Sequence, residues 1–225
     1  MTKFKNIGVK MSNIENNLWQ EINTMFISSN RQLVLNSDEL ENGIKTLDAL
    51  QVTSKSALGS IILNTSGIVI DNWIRILGHD SNINRGILSY NSIGENGVAT
   101  QVDKMLIVAD DVIGGLFALN AGKFSEGIGE VWYFAPDTLE WESLEMQYSE
   151  FIAWIAQGNI DEFYSTMRWS TWKEDCKNVK FNEAILIYPF LWSNEIQLEK
   201  ADKKIVPAEE LLKINQEYSK KFNLS

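Results

Sequence analysis

MLIVADDVIGGLFALN, Met105 to Asn120, sets two apolar runs on either side of paired aspartates and paired glycines. Short apolar runs bounded by turn residues read as strands. The spacing predicts strands around Leu106–Ala109 and Leu116–Leu119, joined at the turn that the acids and glycines mark. Strands that meet through so short a connection lie antiparallel. The same grammar extends outward in both directions. LGSIILNTSGIVIDNWIRILG, Leu58 to Gly78, reads as a hairpin turning at NTSG and followed by a third short strand. GEVWYFAPDTLEWESL, Gly129 to Leu144, supplies two more strands, broken at Pro136-Asp137.

Helical periodicity brackets this region. NIENNLWQEINTMFISS places Ile14, Leu18, Ile22 and Met25 on one helical face. A second helix is predicted from Ser37, as N-cap, through Leu50. Later, MQYSEFIAWIAQG ends at Gly158 as a C′ glycine, and DEFYSTMRWSTW continues helically. EAILIYPFLW reads as a further strand or an apolar extended segment, and PAEELLKINQEYSKKF closes as a helix with Pro207 in its first turn and lysines at its end. The predicted class is α+β, a mainly antiparallel sheet flanked by helices. With neither repeat nor linker, residues 1–225 are expected to form one domain. Residues 1–11 are read as a loose arm, with Met11 an alternative start, and 78–101 as the longest loop.

Composition excludes several functions. The 20 Lys and Arg are outnumbered by 30 Asp and Glu, for a net charge of −10. Such a surface lacks the basic footprint that nucleic acid or an anionic bilayer requires, but leaves a basic protein partner open, since opposite charge speeds encounter. One cysteine, Cys176, cannot form an internal disulfide and fits a reducing compartment. The N-terminus has no apolar core of a secretory signal, and no apolar run reaches membrane-spanning length. The expected location is the cytoplasm.

The acid pair Asp110 and Asp111 resembles half of a nucleotide-hydrolase site, but the other half is missing. In GGLFALNAGKF the lysine stands too far from the first glycine, and Phe124 occupies the hydroxyl position of a phosphate loop. GIGEVW precedes a strand and lacks the third glycine of a dinucleotide site. One histidine, His79, and one cysteine cannot build a zinc cage or a convincing triad. No cofactor, metal or catalytic residue is therefore assigned. The expected role of Asp110 and Asp111 is to end strands and turn the chain, since neighbours in extended backbone face opposite ways. Carboxylates cluster again at Asp137, Glu140, Glu142 and Glu145, where Glu140 and Glu142 read as the outer face of a strand.

Eight tryptophans are many for this length. Most are expected in the core, with one or two at a rim or cleft.

Several runs carry a resemblance. ALQVTSKSALGSIILNTSGIVIDNWIRILG, VADDVIGGLFALN, VWYFAPDTLEW and YPFLW, with YSEFIAWIAQGNIDEFYSTMRW between them, look like the signature runs of an uncharacterised bacterial domain-of-unknown-function family. More distantly, the strand–Asp–Gly–strand pattern followed by WYF and a helix is similar to the SUKH superfamily. That resemblance implies an α+β domain of a group whose members include immunity proteins, which neutralise toxins by binding them. It carries over no catalytic residues.

The leading expectation is thus a non-catalytic protein-binding module, of immunity or regulatory type. Its candidate contacts are Trp73, Asp110, Asp111, Asp137 and Trp141, with the loop from Gly78 to Gln101. Two alternatives stand beside it: a carboxylate hydrolase using Asp110 or Asp111 with Glu140 or Glu142, and an oligomeric structural protein.

Overall fold

Among the described residues, seven strands cross one antiparallel sheet in the order in which the chain makes them. They are β1 (Leu33–Asn36), β2 (Gly67–Ile70), β3 (Ile74–Leu77), β4 (Met105–Asp111), β5 (Leu116–Asn120), β6 (Glu130–Phe134) and β7 (Trp141–Gln147). The computed structural model describes residues 18–36, 39–93, 99 and 101–224. A separate hairpin joins β8 (Glu183–Tyr188) to β9 (Asp202–Pro207). Helices α1 (residues 18–27), α2 (Leu40–Leu50), α3 (Ala57–Asn64), α4 (Ile87–Tyr90), α5 (Tyr148–Gln157), α6 (Ile160–Phe163), α7 (Trp172–Asp175) and α8 (Ala208–Lys221) surround them. The class is α+β.

Directly opposed residues of antiparallel strands share a face, so the register sorts the core. One row runs Leu35, Ile68, Ile76, Ala109, Phe117, Tyr133, Glu142 across all seven strands. Its middle five members are fully buried. Helix α5 lies on this face, where Phe151 meets Phe117 with ring centroids 5.0 Å apart. The next row, on the opposite face, runs Val34, Val69, Arg75, Asp110, Leu116, Phe134, Trp141. Helices α4 and α8 and the β8–β9 hairpin cover its central part. Bulges at Ile107/Ala109 and Val131/Trp132 increase the twist of the strands that form the sheet's second half.

The first run of LGSIILNTSGIVID is a helix, not a strand. Ser56 caps α3 by accepting from the Gly59 amide at 3.0 Å. Residues 58–63 are all buried, so no polar stripe reveals the helical period; an apolar run buried on every side looks alike in either conformation. The hairpin therefore starts one segment later, as β2–β3. Replacing Ser56 with Ala is expected to cost about 1 kcal/mol, read as a lower urea midpoint.

Other boundaries differ for local reasons. Ser37, the expected cap of α2, lies outside the described residues, and Glu39 occupies the cap position. Residues 1–11 also lie outside them. Gly158 ends α5 in extended backbone, with φ −79°, instead of a left-handed turn. The stretch read as the 78–101 loop contains α4, and Ile87 and Tyr90 pack into the core. Asp80 organises it by accepting from the amides of Gly86, Leu88 and Ser89. Glu140 precedes β7 instead of belonging to it, because Leu139 turns inward with φ 61°. Among the described residues, no helix is long and apolar enough to cross a membrane.

Candidate functional site

The paired acids point to opposite faces of the sheet, and each is buried with every donor around it supplied by the fold. Asp110 is 2% exposed. Arg75 reaches across from β3 and grips it bidentately, Nε donating to Oδ1 at 2.7 Å and Nη2 to Oδ2 at 2.8 Å. Tyr90 of α4 donates its hydroxyl to Oδ2 at 2.8 Å. Arg75 also donates to the Asp111 carbonyl at 3.0 Å and to the Glu183 carbonyl of β8. Burial raises the Asp110 carboxyl above the ordinary carboxylate range, with Arg75 and Tyr90 opposing that rise. Burial pulls the Arg75 guanidinium down, but Asp110, with Tyr90 and Asp111, outweighs it and keeps the cation charged.

Asp111 does a different job. Its Oδ1 accepts from the amides of Ile113 at 3.1 Å and Gly115 at 2.8 Å, which closes the β4–β5 turn. Its Oδ2 accepts from the hydroxyls of Tyr133 at 2.8 Å and Tyr164 at 2.9 Å. The glycines follow from this. Gly114 sits at φ 94° against α8, and a Cβ on Gly115 would lie 2.2 Å from Asp111 Oδ2 and 2.4 Å from the Tyr133 hydroxyl. Burial lifts the carboxyl of Asp111 and the phenols of Tyr133 and Tyr164 above their ordinary values. No hydrogen bond among the described residues joins either aspartate to Glu140 or Glu142, and both glutamates are exposed. Saturated partners and near-zero exposure leave these acids no free oxygen for a substrate.

Trp73 is likewise fully buried. Its ring meets Tyr164, Trp169 and Trp172, with the Arg168 guanidinium 4.8 Å above its centroid. The site residues read from sequence therefore separate. Trp73, Asp110 and Asp111 lie inside and offer no surface to a docked protein. Asp137, half-buried, sits in the β6–β7 turn, and Trp141 is half-buried on β7. His79 is buried with Nδ1 2.7 Å from the Ile62 carbonyl. Burial pushes the Cys176 thiol up to about 12, so it is no nucleophile at neutral pH. Among the described residues, no three His, Cys, Asp or Glu side chains gather as a metal would need.

Trp141 belongs to a groove of about 400 Å³. Its floor is one end of the second row, on three successive strands: Leu116 and Phe134, themselves buried, and half-buried Trp141. The Phe134 and Trp141 rings lie 5.4 Å apart. One wall is the last half of α8, where Ser219 donates to the Leu139 carbonyl at 3.1 Å. The segment at Gln101–Asp103 is bound to that wall, since Gln216 Nε2 donates to the Gln101 carbonyl at 3.3 Å. Lys123 completes the rim from the β5–β6 loop.

Asn120 holds that loop in place. Its Nδ2 donates to the carbonyls of Phe124 and Glu126 at 2.9 and 2.8 Å, and its Oδ1 accepts from the amides of Gly122 and Phe124. Phe124 then stacks on Trp132, centroids 4.0 Å apart and planes within 10°. The groove is thus an apolar floor between walls fixed by side-chain hydrogen bonds, as preformed binding sites are.

The profile of a family described as "Protein of unknown function DUF2625" matches residues 9–211. The chain belongs to the DUF2625 family. Uncharacterized protein YbfG of Escherichia coli K12 is 37% identical over 220 residues, covering 95% of this chain and 97% of the relative. An uncharacterized protein of Haemophilus influenzae Rd is 30% identical over 222 residues, covering 96% of each. No solved structure matches the chain.

The family match spans the buried aspartate turn and the β5–β7 floor of the groove, and it ends within α8. Lys220 and Ser219 on the α8 wall lie beyond it. Sequence reading reached Trp141 through tryptophan content, but it passed over both rim lysines. Lys123 stood in a failed phosphate-loop match, and Lys220 looked like a helix-end lysine favoured by the dipole.

Proposed function

We propose that this DUF2625 chain is a non-catalytic protein-binding module, of immunity or regulatory type, that works in the cytoplasm and holds its partner in the groove between the β5–β7 floor and α8. The observation that carries this reading is the contrast between the two kinds of site. The acids that resemble half of a hydrolase site are buried and satisfied, whereas half-buried Trp141 faces a groove between fixed walls. A half-exposed tryptophan beside a phenylalanine is the kind of anchor that protein interfaces use, since it offers large contact area and loses little side-chain entropy. The distant resemblance to SUKH domains supports the immunity-type form of the proposal.

A photo-crosslinking phenylalanine analogue at Gln216, with the same group at exposed Asp48 on α2 as control, tests the reading in cells of the native host. The expected result is one adduct specific to position 216 that Trp141→Ala removes while the variant keeps its fold by circular dichroism. An adduct pattern identical at both positions, or one indifferent to Trp141→Ala, defeats the proposal.

A further inference from the structure

We infer that the groove takes an acidic segment of the partner protein, one whose aromatic side chain seats on the Trp141 floor while flanking carboxylates meet Lys123 and Lys220. The inference rests on the protein-binding reading and adds the chemistry of the partner. Its motive is a local charge inversion. The chain as a whole carries −10, with acids in excess by ten, 30 against 20. Yet among the described residues Lys123 and Lys220 on the groove rim make no ion pair, although eight cation–carboxylate pairs form elsewhere. Among the described residues the one acid lining the groove is Asp103, so that lining is net positive on a negative protein.

Geometry favours a side chain flanked by acids over a lone anion. The two lysines come from different walls, Lys123 from the β5–β6 loop and Lys220 from α8, with the Leu116, Phe134 and Trp141 floor between them. A free anion would leave the accessible part of the Trp141 ring wet, while an aromatic side chain would cover it. The cavity of about 400 Å³ is large enough for a ring with its backbone and small for a folded surface. Lys123 is also partly committed, its Nζ lying 5.7 Å above the Phe124 ring, so its ammonium is held near the rim by a loop that Asn120 fixes. An acidic partner segment would meet like-charge repulsion from most of the chain's surface and attraction at this place, which selects the site.

The test uses the full chain and three capped peptides: Glu-Glu-Phe-Glu-Glu, Lys-Lys-Phe-Lys-Lys and Glu-Glu-Gly-Glu-Glu. The readout is two-dimensional NMR of the Gln101 and Gln216 amides and the Trp141 indole at low ionic strength. The acidic phenylalanine peptide is expected to shift these resonances, with the glycine peptide much weaker. Lys123→Glu with Lys220→Glu should weaken its affinity about tenfold while leaving the rest of the spectrum in place. Equal or stronger shifts from the lysine peptide, no shift from the acidic one, or an affinity unchanged by charge reversal overturns the inference. Crosslinking tells that failure apart from failure of the protein-binding reading: a Gln216 adduct lost in Trp141→Ala but indifferent to both lysine changes keeps the binding groove and removes only the acidic partner.

Discussion

Asp110→Ala is expected to destabilise the protein by about 3–5 kcal/mol, more than any surface change could, because it strands the Arg75 guanidinium inside the sheet. Arg75 and Asp110 are both about 2% exposed. Removing the carboxylate leaves Nε without an acceptor, Nη2 with the Asp111 carbonyl alone, and the Tyr90 hydroxyl without its partner. Arg75→Met alone should cost a similar amount by leaving the Asp110 charge unpaired. The pair together is a different case. A buried ion pair is repaid only in part for the water both groups have lost, so Arg75→Met with Asp110→Ala should cost clearly less than the two single changes summed. Urea midpoints at pH 7 for the four proteins close the cycle. Additive losses would mean that each residue acts through packing alone and that the ion pair contributes nothing of its own.

That pair also marks where sequence reading stops. The β4–β5 hairpin was legible because its two strands, its turn and its glycines lie within 16 consecutive residues, Met105 to Asn120. Local chemistry decides such a unit. Arg75 is 35 positions from Asp110, and Tyr133 and Tyr164 are 22 and 53 positions from Asp111. Nothing in the spelling of VADDV says that one acid faces an arginine and its neighbour two tyrosines, although the alternation of strand side chains does say that they part company. The role of Asp111 in the turn followed from the pattern of acid, glycine and apolar run; the ion pair of Asp110 did not.

The groove shows the same limit. Its floor is a row across β5, β6 and β7, and a row is visible only once register is known. Bulges at Ile107/Ala109 and Val131/Trp132 shift that register in ways that composition does not announce. Its α8 wall comes from a helix whose existence was plain from Pro207 and the apolar period, but whose seat on the sheet depends on Gly114 meeting Leu211 and Asn215. Strand β9 escaped notice because DKKIVP has too few apolar residues to signal a strand by itself. Its pairing with β8 supplies the order that its own residues do not.

Asp111 gives the second large effect, and its pH dependence has a definite sign. Asp111→Ala removes the acceptor for two amides and two phenols at once, and about 3–5 kcal/mol of stability should go with it. Asp111→Asn keeps the shape and one acceptor oxygen, so it should cost less, on the order of 1–3 kcal/mol. Burial raises the folded carboxyl of Asp111 above the ordinary value of 3.8. The folded chain then keeps this proton to higher pH than the unfolded chain does. Between the unfolded and the folded pKa the native state binds more protons, so this group's contribution is fully present below about pH 3.8 and declines as pH rises through the folded value. Asparagine has no such slope, and the other titrating groups are common to both proteins and cancel in the difference. The stability gap between wild type and Asp111→Asn should therefore be widest in acid and narrow toward neutrality, where the buried charge is itself a cost. Urea titrations from pH 3 to 7 on the two proteins measure it. A gap that widens toward neutral pH would mean that the tyrosine and amide donors, not burial, set the carboxyl, with its folded pKa below the unfolded one.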